Sequence, residues 1–363
     1  MSGVIHRKDL DRVMNWVANI TMNPPGIGDV FWVASSGSAW ETWFKKIGVD
    51  GDHRAVTVAA AYALLTTGRN DTILMAPEAI AGTAELDWTK SNCNMIGLGG
   101  PNVQGRRGPS GTFPTMPGGA CLYSTTTGLV HLLHLTGARN RFYNMHFVNA
   151  VNEATALSAV KVGGSLNLSY GNYFKNCNIQ GIAGTTCNTT NNCSLKISAG
   201  ASYYMFEDCI IGNHTYMGAR ATAQQGHLHY PGVYETDSPA AAGYGPQDGK
   251  FKNCDFKSRG TTTTPVMVRV EPGGNEALDR VHIFENCSFI NWSGSDASIV
   301  RVFYDACGTW HNIILRRCTA VGYDEWQTDD LGTHPGYISA DMPITGVAGG
   351  HARMPTGAHD SGT

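Results

Sequence analysis

Few residue pairs in this chain are spaced for chemistry. His227 and His229, in His-Leu-His, lie two apart and would share one face of a strand, as two ligands of a metal would. No third ligand is evident, so no metal is assigned. Arg269 and Glu271, in Val-Met-Val-Arg-Val-Glu, alternate with apolar residues and also share a face. They could act as base and acid, but an exposed salt-bridging strand explains the same spacing and is preferred. Cys187 and Cys193 bracket Asn-Thr-Thr-Asn-Asn. They could pair or form half a metal site, but no second cysteine pair has zinc spacing, so a polar loop with incidental thiols is preferred. Gly97-Leu-Gly-Gly100 matches a fragment of a phosphate loop, but Pro101 follows where a helix should begin. Tyr203, Tyr204, Tyr216, Tyr230, Tyr244 and Trp292 could stack on sugar rings, or equally fill a strand core. No catalytic, cofactor-binding or metal-binding residue is assigned from the sequence.

Composition narrows the classes. Charged residues are 15% of the 363 and the formal net charge is −3. A nucleic-acid surface would need a basic excess, so nucleic acid is not an expected partner. No apolar run is long enough to span a membrane as a helix. The opening Met1-Ser-Gly-Val-Ile-His-Arg-Lys-Asp-Leu10 lacks the apolar stretch of a signal peptide, so use without Sec export is expected. The ten cysteines are then expected to be free thiols rather than a disulfide framework.

The elements that would position any site come from a repeat. Six segments align without gaps: Phe142-Tyr-Asn-Met-His-Phe147, Phe174-Lys-Asn-Cys-Asn-Ile179, Phe206-Glu-Asp-Cys-Ile-Ile211, Phe251-Lys-Asn-Cys-Asp-Phe256, Phe284-Glu-Asn-Cys-Ser-Phe289 and Leu315-Arg-Arg-Cys-Thr-Ala320. Their starts are 32, 32, 45, 33 and 31 residues apart, a period that means stacked supersecondary units. The 45-residue step is expected to hold an insertion around Ser238 to Gly249.

The motif is a strand with a corner in it. Strict alternation would put Phe174 and Cys177 on opposite faces. A turn at Asn176 in the left-handed region, which Asn and Asp tolerate, resets the parity. Phe174, Cys177 and Ile179 then point inward, and Lys175 and Asn178 outward. Arg317 is the one poor corner residue. Stacking coils about 4.8 Å apart turns equivalent positions into columns. Met145, Cys177, Cys209, Cys254, Cys287 and Cys318 form an inner column of small buried hydrophobes. Lys175, Glu207, Lys252, Glu285 and Arg316 form an outer one whose signs alternate, as neighbouring coils would require.

A solenoid needs capped ends. Leu10, Val13, Met14, Val17 and Ile20 share a helical face, so residues 1–28 read as an N-terminal arm that caps or anchors. A strand over Asp29–Ala34, a Gly/Ser turn, and a helix from about His53 to Thr66 follow. Asp71–Pro77 reads as the first coil strand. The β-helix extends over 29–345, and the Gly/Ala/Thr-rich 346–363 is a flexible tail.

The order of strand, Ser35-Ser-Gly-Ser38 turn, Ala-rich helix, Gly68-Arg-Asn-Asp-Thr-Ile73 and Phe-x-Asn-Cys-x-Phe coils resembles the pectin-lyase-like superfamily over residues 29 to 325. Pro77-Glu78 stands where Pro-Gly is usual after the first coil strand. The resemblance implies an all-β, right-handed parallel β-helix, but not one activity. Members include pectate lyases, polygalacturonases, alginate epimerases, phage tailspikes and non-enzymatic virion proteins. The lyases use a calcium cluster with an Arg or Lys base, and no Asp-x-Asp cluster accompanies Arg269 and Glu271. Hydrolases pair carboxylates about 5–9.5 Å apart. The column His146, Asn178, Ile210, Asp255, Ser288, Thr319 holds one acid, Glu207 and Glu285 are separated by Lys252, and Asp329 and Asp330 lie beyond the coils.

A fold suited to extracellular glycans, without an export signal, is reconciled in a virion protein released by lysis. The expected function is therefore a structural protein of a tailed bacteriophage, a capsid-decorating or short spike protein. Such a protein would be a homotrimer partnered by capsid or other virion proteins. The alternative is a polysaccharide-degrading depolymerase, either a tailspike hydrolase or a lyase, with a host-surface glycan as partner. An adhesin is less favoured because no anchor is visible.

Overall fold

The computed structural model describes residues 28–99, 119–164, 169–182, 186–212, 225–231, 245–258, 266–271, 278–291, 301–305, 312–323, 325–327 and 337–340. The N-terminal arm up to residue 27 and the tail from 346 lie outside them.

The chain winds as a right-handed parallel β-helix with three sheets of 13, 8 and 8 strands, every inter-coil pairing parallel. The first sheet carries Thr72–Met75, Asn94–Gly97, Arg141–Tyr143, Tyr173–Lys175, Met205–Glu207, Gln247–Lys252, Asp279–Glu285 and Asn312–Arg316 in stacking order. The second runs from Ala79–Ala81 through Met145–Asn149 and Asn178–Gln180 to Thr319–Val321. The third carries Leu86–Trp88, His131–Leu135, Ser158–Val162, Leu195–Ile197, Leu228–Tyr230, Val266–Val270 and Arg301–Asp305. Among the described residues, each full coil gives at least one strand to each sheet, and two coils give the first sheet a second short strand, Ser169–Tyr170 and Ala201–Ser202.

The corner between the first two sheets is the Phe-x-Asn-Cys motif. Asn144, Asn176, Asp208, Asn253, Asn286 and Arg317 all have φ between 52° and 55°. Arg317 thus turns like the others, because the five coils beneath it fix the path. Amides join successive corners: Asn176 Nδ2 donates to Asn144 Oδ1 (2.6 Å), and Asn286 Nδ2 to Asn253 Oδ1 (3.2 Å). Inside, Phe142, Phe174, Phe206, Phe251 and Phe284 stack at 4.6–5.1 Å between centroids, nearly coplanar. Each such pair adds about 0.5–1.5 kcal/mol beyond its buried area.

The thiol column is more than filler. Each Sγ stands within reach of the phenylalanine carbonyl one coil below: Cys177 of Phe142 O (3.5 Å), Cys209 of Phe174 O (3.5 Å), Cys254 of Phe206 O (3.4 Å), Cys287 of Phe251 O (3.6 Å) and Cys318 of Phe284 O (3.3 Å). Cysteine fits because it is small, apolar and still a weak donor. All nine described cysteines are free and buried. Outside, Glu207 binds both Lys252 (3.0 Å) and Lys175 (3.6 Å), while Glu285 takes Lys250 (2.6 Å), its diagonal neighbour.

The N-terminal end differs in part from expectation. The predicted helix forms over Val58–Leu64, capped by Thr57, and Val58 and Ala61 close the open end of the core. The Gly/Ser turn leads into another helix, Ala39–Lys46, capped by Ser38. Its Phe44, with Trp40 and Trp43, covers Leu74 and Ile96 on the outside of the first sheet. Gln247, Asp248 and Gly249 belong to a first-sheet strand, so they are not part of the insertion in the 45-residue step.

Candidate functional site

Charged chemistry collects on the outer face of the third sheet. In each of its strands the residues flanking one position turn inward, such as Leu133 and Leu135, Val160 and Val162, Leu195 and Ile197, or Val268 and Val270. The position between them points out. Register places those residues in one row: Asp87, His134, Lys161, Lys196, His229, Arg269 and Tyr304. The row is closed along its middle, with exposures of 0% for Lys161, 1% for Lys196, 0% for His229 and 7% for Arg269.

At one end Arg269 Nε donates to Glu271 Oε1 (2.5 Å), and its guanidinium lies over the Tyr304 ring at 4.8 Å. His229 Nε2 stands 3.5 Å from the same carboxylate oxygen. Burial alone would raise the Glu271 pKa, but the His229 ring and the Arg269 guanidinium outweigh it and hold it down to about 2. Burial, together with Lys196 and Arg269, pulls the His229 ring down to about 4. At neutral pH the acid is ionised and the imidazole uncharged, so neither is poised as a proton donor there.

At the other end Glu85, Asp87 and His134 converge. His134 Nδ1 lies 3.3 Å from Glu85 Oε1 and 3.2 Å from Asp87 Oδ1. Its Nε2 donates to Gly163 O at 3.0 Å. Glu85 Oε2 accepts the His131 backbone N–H at 3.2 Å. Burial and Lys161 disfavour a charged His134 ring, but Glu85 and the Gly163 carbonyl prevail and raise its pKa. The Asp87 side chain is 65% exposed, so this end is open.

Several sequence-level readings change. Arg269 and Glu271 do share a face and pair, but on a buried strand, not an exposed one. His229 lies in the strand Leu228–Tyr230 and His227 just before it, and they share no ligand set, for His227 Nδ1 meets Ser194 Oγ at 2.9 Å. Among the described residues the one triad within metal-binding reach is Glu85, Asp87 and His134. Sequence reading missed it because its members come from two coils, 47 positions apart at Asp87 and His134. Cys187 and Cys193 lie in an irregular segment as free thiols, but buried, facing Val151 O (3.3 Å) and Leu157 O (3.4 Å) separately. Tyr204 and Tyr230 are core residues, whereas Tyr203 is exposed. Tyr216, Tyr244, Trp292, Asp329 and Asp330 lie outside the described residues. Gly97 ends a first-sheet strand, where a Cβ would meet Asn144 O at 2.2 Å. The second-sheet column begins buried, at His146 and Asn178, rather than exposed.

No protein-family model matches the chain, and no curated protein sequence matches it. Its fold is similar to that of carrot pectin methylesterase (TM-score 0.54, 12% identity, 92% of this chain and 90% of that one). It is also similar to a pectin methylesterase solved with a bound hexasaccharide (0.52, 13%, 90% and 93%) and to the Erwinia chrysanthemi pectin methylesterase (0.50, 13%, 91% and 93%). The fold is pectin-lyase-like. At these identities the likeness concerns architecture alone.

Proposed function

We propose that this chain is a structural protein of a tailed-bacteriophage virion, a capsid-decorating or short spike solenoid that assembles as a homotrimer. One observation carries the reading: the middle of the third sheet's charged row is sealed. A groove enzyme must offer such groups to its polymer, whereas Lys161, Lys196, His229 and Arg269 face out of the sheet but are covered within the protein. The thiols support the same reading. Five cysteines stand in one column, about 4.8 Å apart, a backbone spacing at which disulfides can form. They are nonetheless free. A chain so built suits folding in a reducing cytoplasm. Lysis would then release it with the particle. Light scattering on the purified chain tests the assembly, with about 117 kDa expected, three times the 38.9 kDa chain. A strict monomer that also fails to cosediment with particles would remove the proposal.

A polysaccharide depolymerase is the second reading. It is favoured by the open Glu85–Asp87–His134 end of the row and by the likeness to an esterase solved with a hexasaccharide. Release of reducing ends from a panel of acidic polysaccharides would establish it.

A further inference from the structure

We infer that Glu85, Asp87 and His134 form a binding site for one divalent transition-metal ion of the zinc class. The inference does not depend on the virion reading. Three donors from two adjacent coils, Glu85 Oε1, Asp87 Oδ1 and His134 Nδ1, lie within 4.8 Å of one another. His134 Nε2 faces a carbonyl, which can only accept, so the N–H sits on Nε2. In the neutral ring that tautomer aims the Nδ1 lone pair at the two carboxylates. A metal-ligating histidine is typically held by such an outer N–H···O=C bond, and ligating carboxylates are themselves hydrogen-bonded. Glu85 meets the second condition through the His131 N–H.

The separations fit a metal. Charge-assisted N–H···O bonds are about 2.7–2.9 Å long. The two here are 3.3 and 3.2 Å. With zinc bonds of about 2.0–2.1 Å, the edge of a tetrahedron is about 3.3 Å. Both nitrogen–oxygen separations match that edge. An imidazole with two carboxylates suits a borderline ion, whereas calcium and magnesium prefer oxygen donors alone. Lys161 packs beside the site, so two carboxylates and one ammonium leave it with a net negative charge. The exposed Asp87 side leaves a fourth position for water.

Equilibrium dialysis of the folded, full-length chain against ZnCl2, with metal quantified by mass spectrometry, tests this. One zinc per chain is expected, undiminished by about a hundredfold excess of MgCl2, since magnesium dehydrates reluctantly and favours oxygen ligands. His134→Gln should abolish it. Asp87→Asn, at an exposed position that should not disturb folding, should weaken it at least about tenfold, the usual order for losing a metal contact. His53→Gln, at an exposed histidine elsewhere, should leave it unchanged. No bound zinc in the wild type, or stoichiometric zinc in both His134→Gln and Asp87→Asn, would overturn the assignment.

Discussion

Tyr204→Phe isolates one buried polar relay in the solenoid core. His282 Nε2 donates to Pro246 O at 3.0 Å, leaving Nδ1 to accept the Tyr204 hydroxyl proton at 2.8 Å. The Tyr204 oxygen in turn faces the Tyr230 hydroxyl at 3.3 Å. All three side chains are essentially inaccessible. Phenylalanine keeps the ring seated over Gly249 and removes one oxygen. His282 Nδ1 loses its donor and the Tyr230 hydroxyl loses its acceptor, each at a cost of about 1–3 kcal/mol when buried. The expected loss is therefore about 2–6 kcal/mol, read from urea unfolding followed by far-UV circular dichroism. Adding Tyr230→Phe removes one of the orphaned groups and should restore about 1 kcal/mol. A loss below about 0.5 kcal/mol for Tyr204→Phe, well under the cost of one unpaired buried group, would refute the relay.

Gly249→Ala should be worse than Tyr204→Phe, because its Cβ would fall 2.1–2.4 Å from the Tyr204 ring; a melting temperature within a degree of wild type would contradict the packing. Denatured, unreduced protein should titrate close to ten thiols with Ellman's reagent, and the native column should not react, since its thiols are buried and burial pushes those of Cys209 and Cys254 far up. Burial pulls His146 and His229 down to about 4, below their unfolded value of about 6.5. Unfolded chains then bind more protons between those values, so stability should fall as pH drops from about 6.5 toward 4. His146→Leu should flatten part of that decline in thermal melts. Asn176→Ala should cost more than Asn176→Gly in the same melts, because the corner needs a positive φ (52°).

The sequence announced the coil through residues whose reasons are local. Phenylalanine, a left-handed Asn or Asp and a cysteine encode a strand, a corner and the next strand, and their period sets the stack. The alternating Lys and Glu column follows from register alone. Arg317 shows the limit of local reasoning, since a poor corner residue still turns when five coils below dictate the path. The third sheet was harder to read. Its strands carry no shared motif, and its row of His134, Lys161, Lys196, His229 and Arg269 exists only once coils of unequal length are aligned. His134 meets Glu85 and Asp87 across one coil step, a distance that no spacing rule along the chain reports. The helix at Ala39–Lys46 escaped notice because its Trp40, Trp43 and Phe44 cover the outside of a sheet rather than joining the core.

Cryo-electron microscopy of virus particles from the source of this chain tests the central claim most directly. The proposal predicts three-fold density, each arm a parallel β-helix, repeated symmetrically across the capsid shell or standing as a short spike. Particles without that density, together with cleavage of an acidic polysaccharide by the purified chain, would contradict it and make the depolymerase reading the account of this protein.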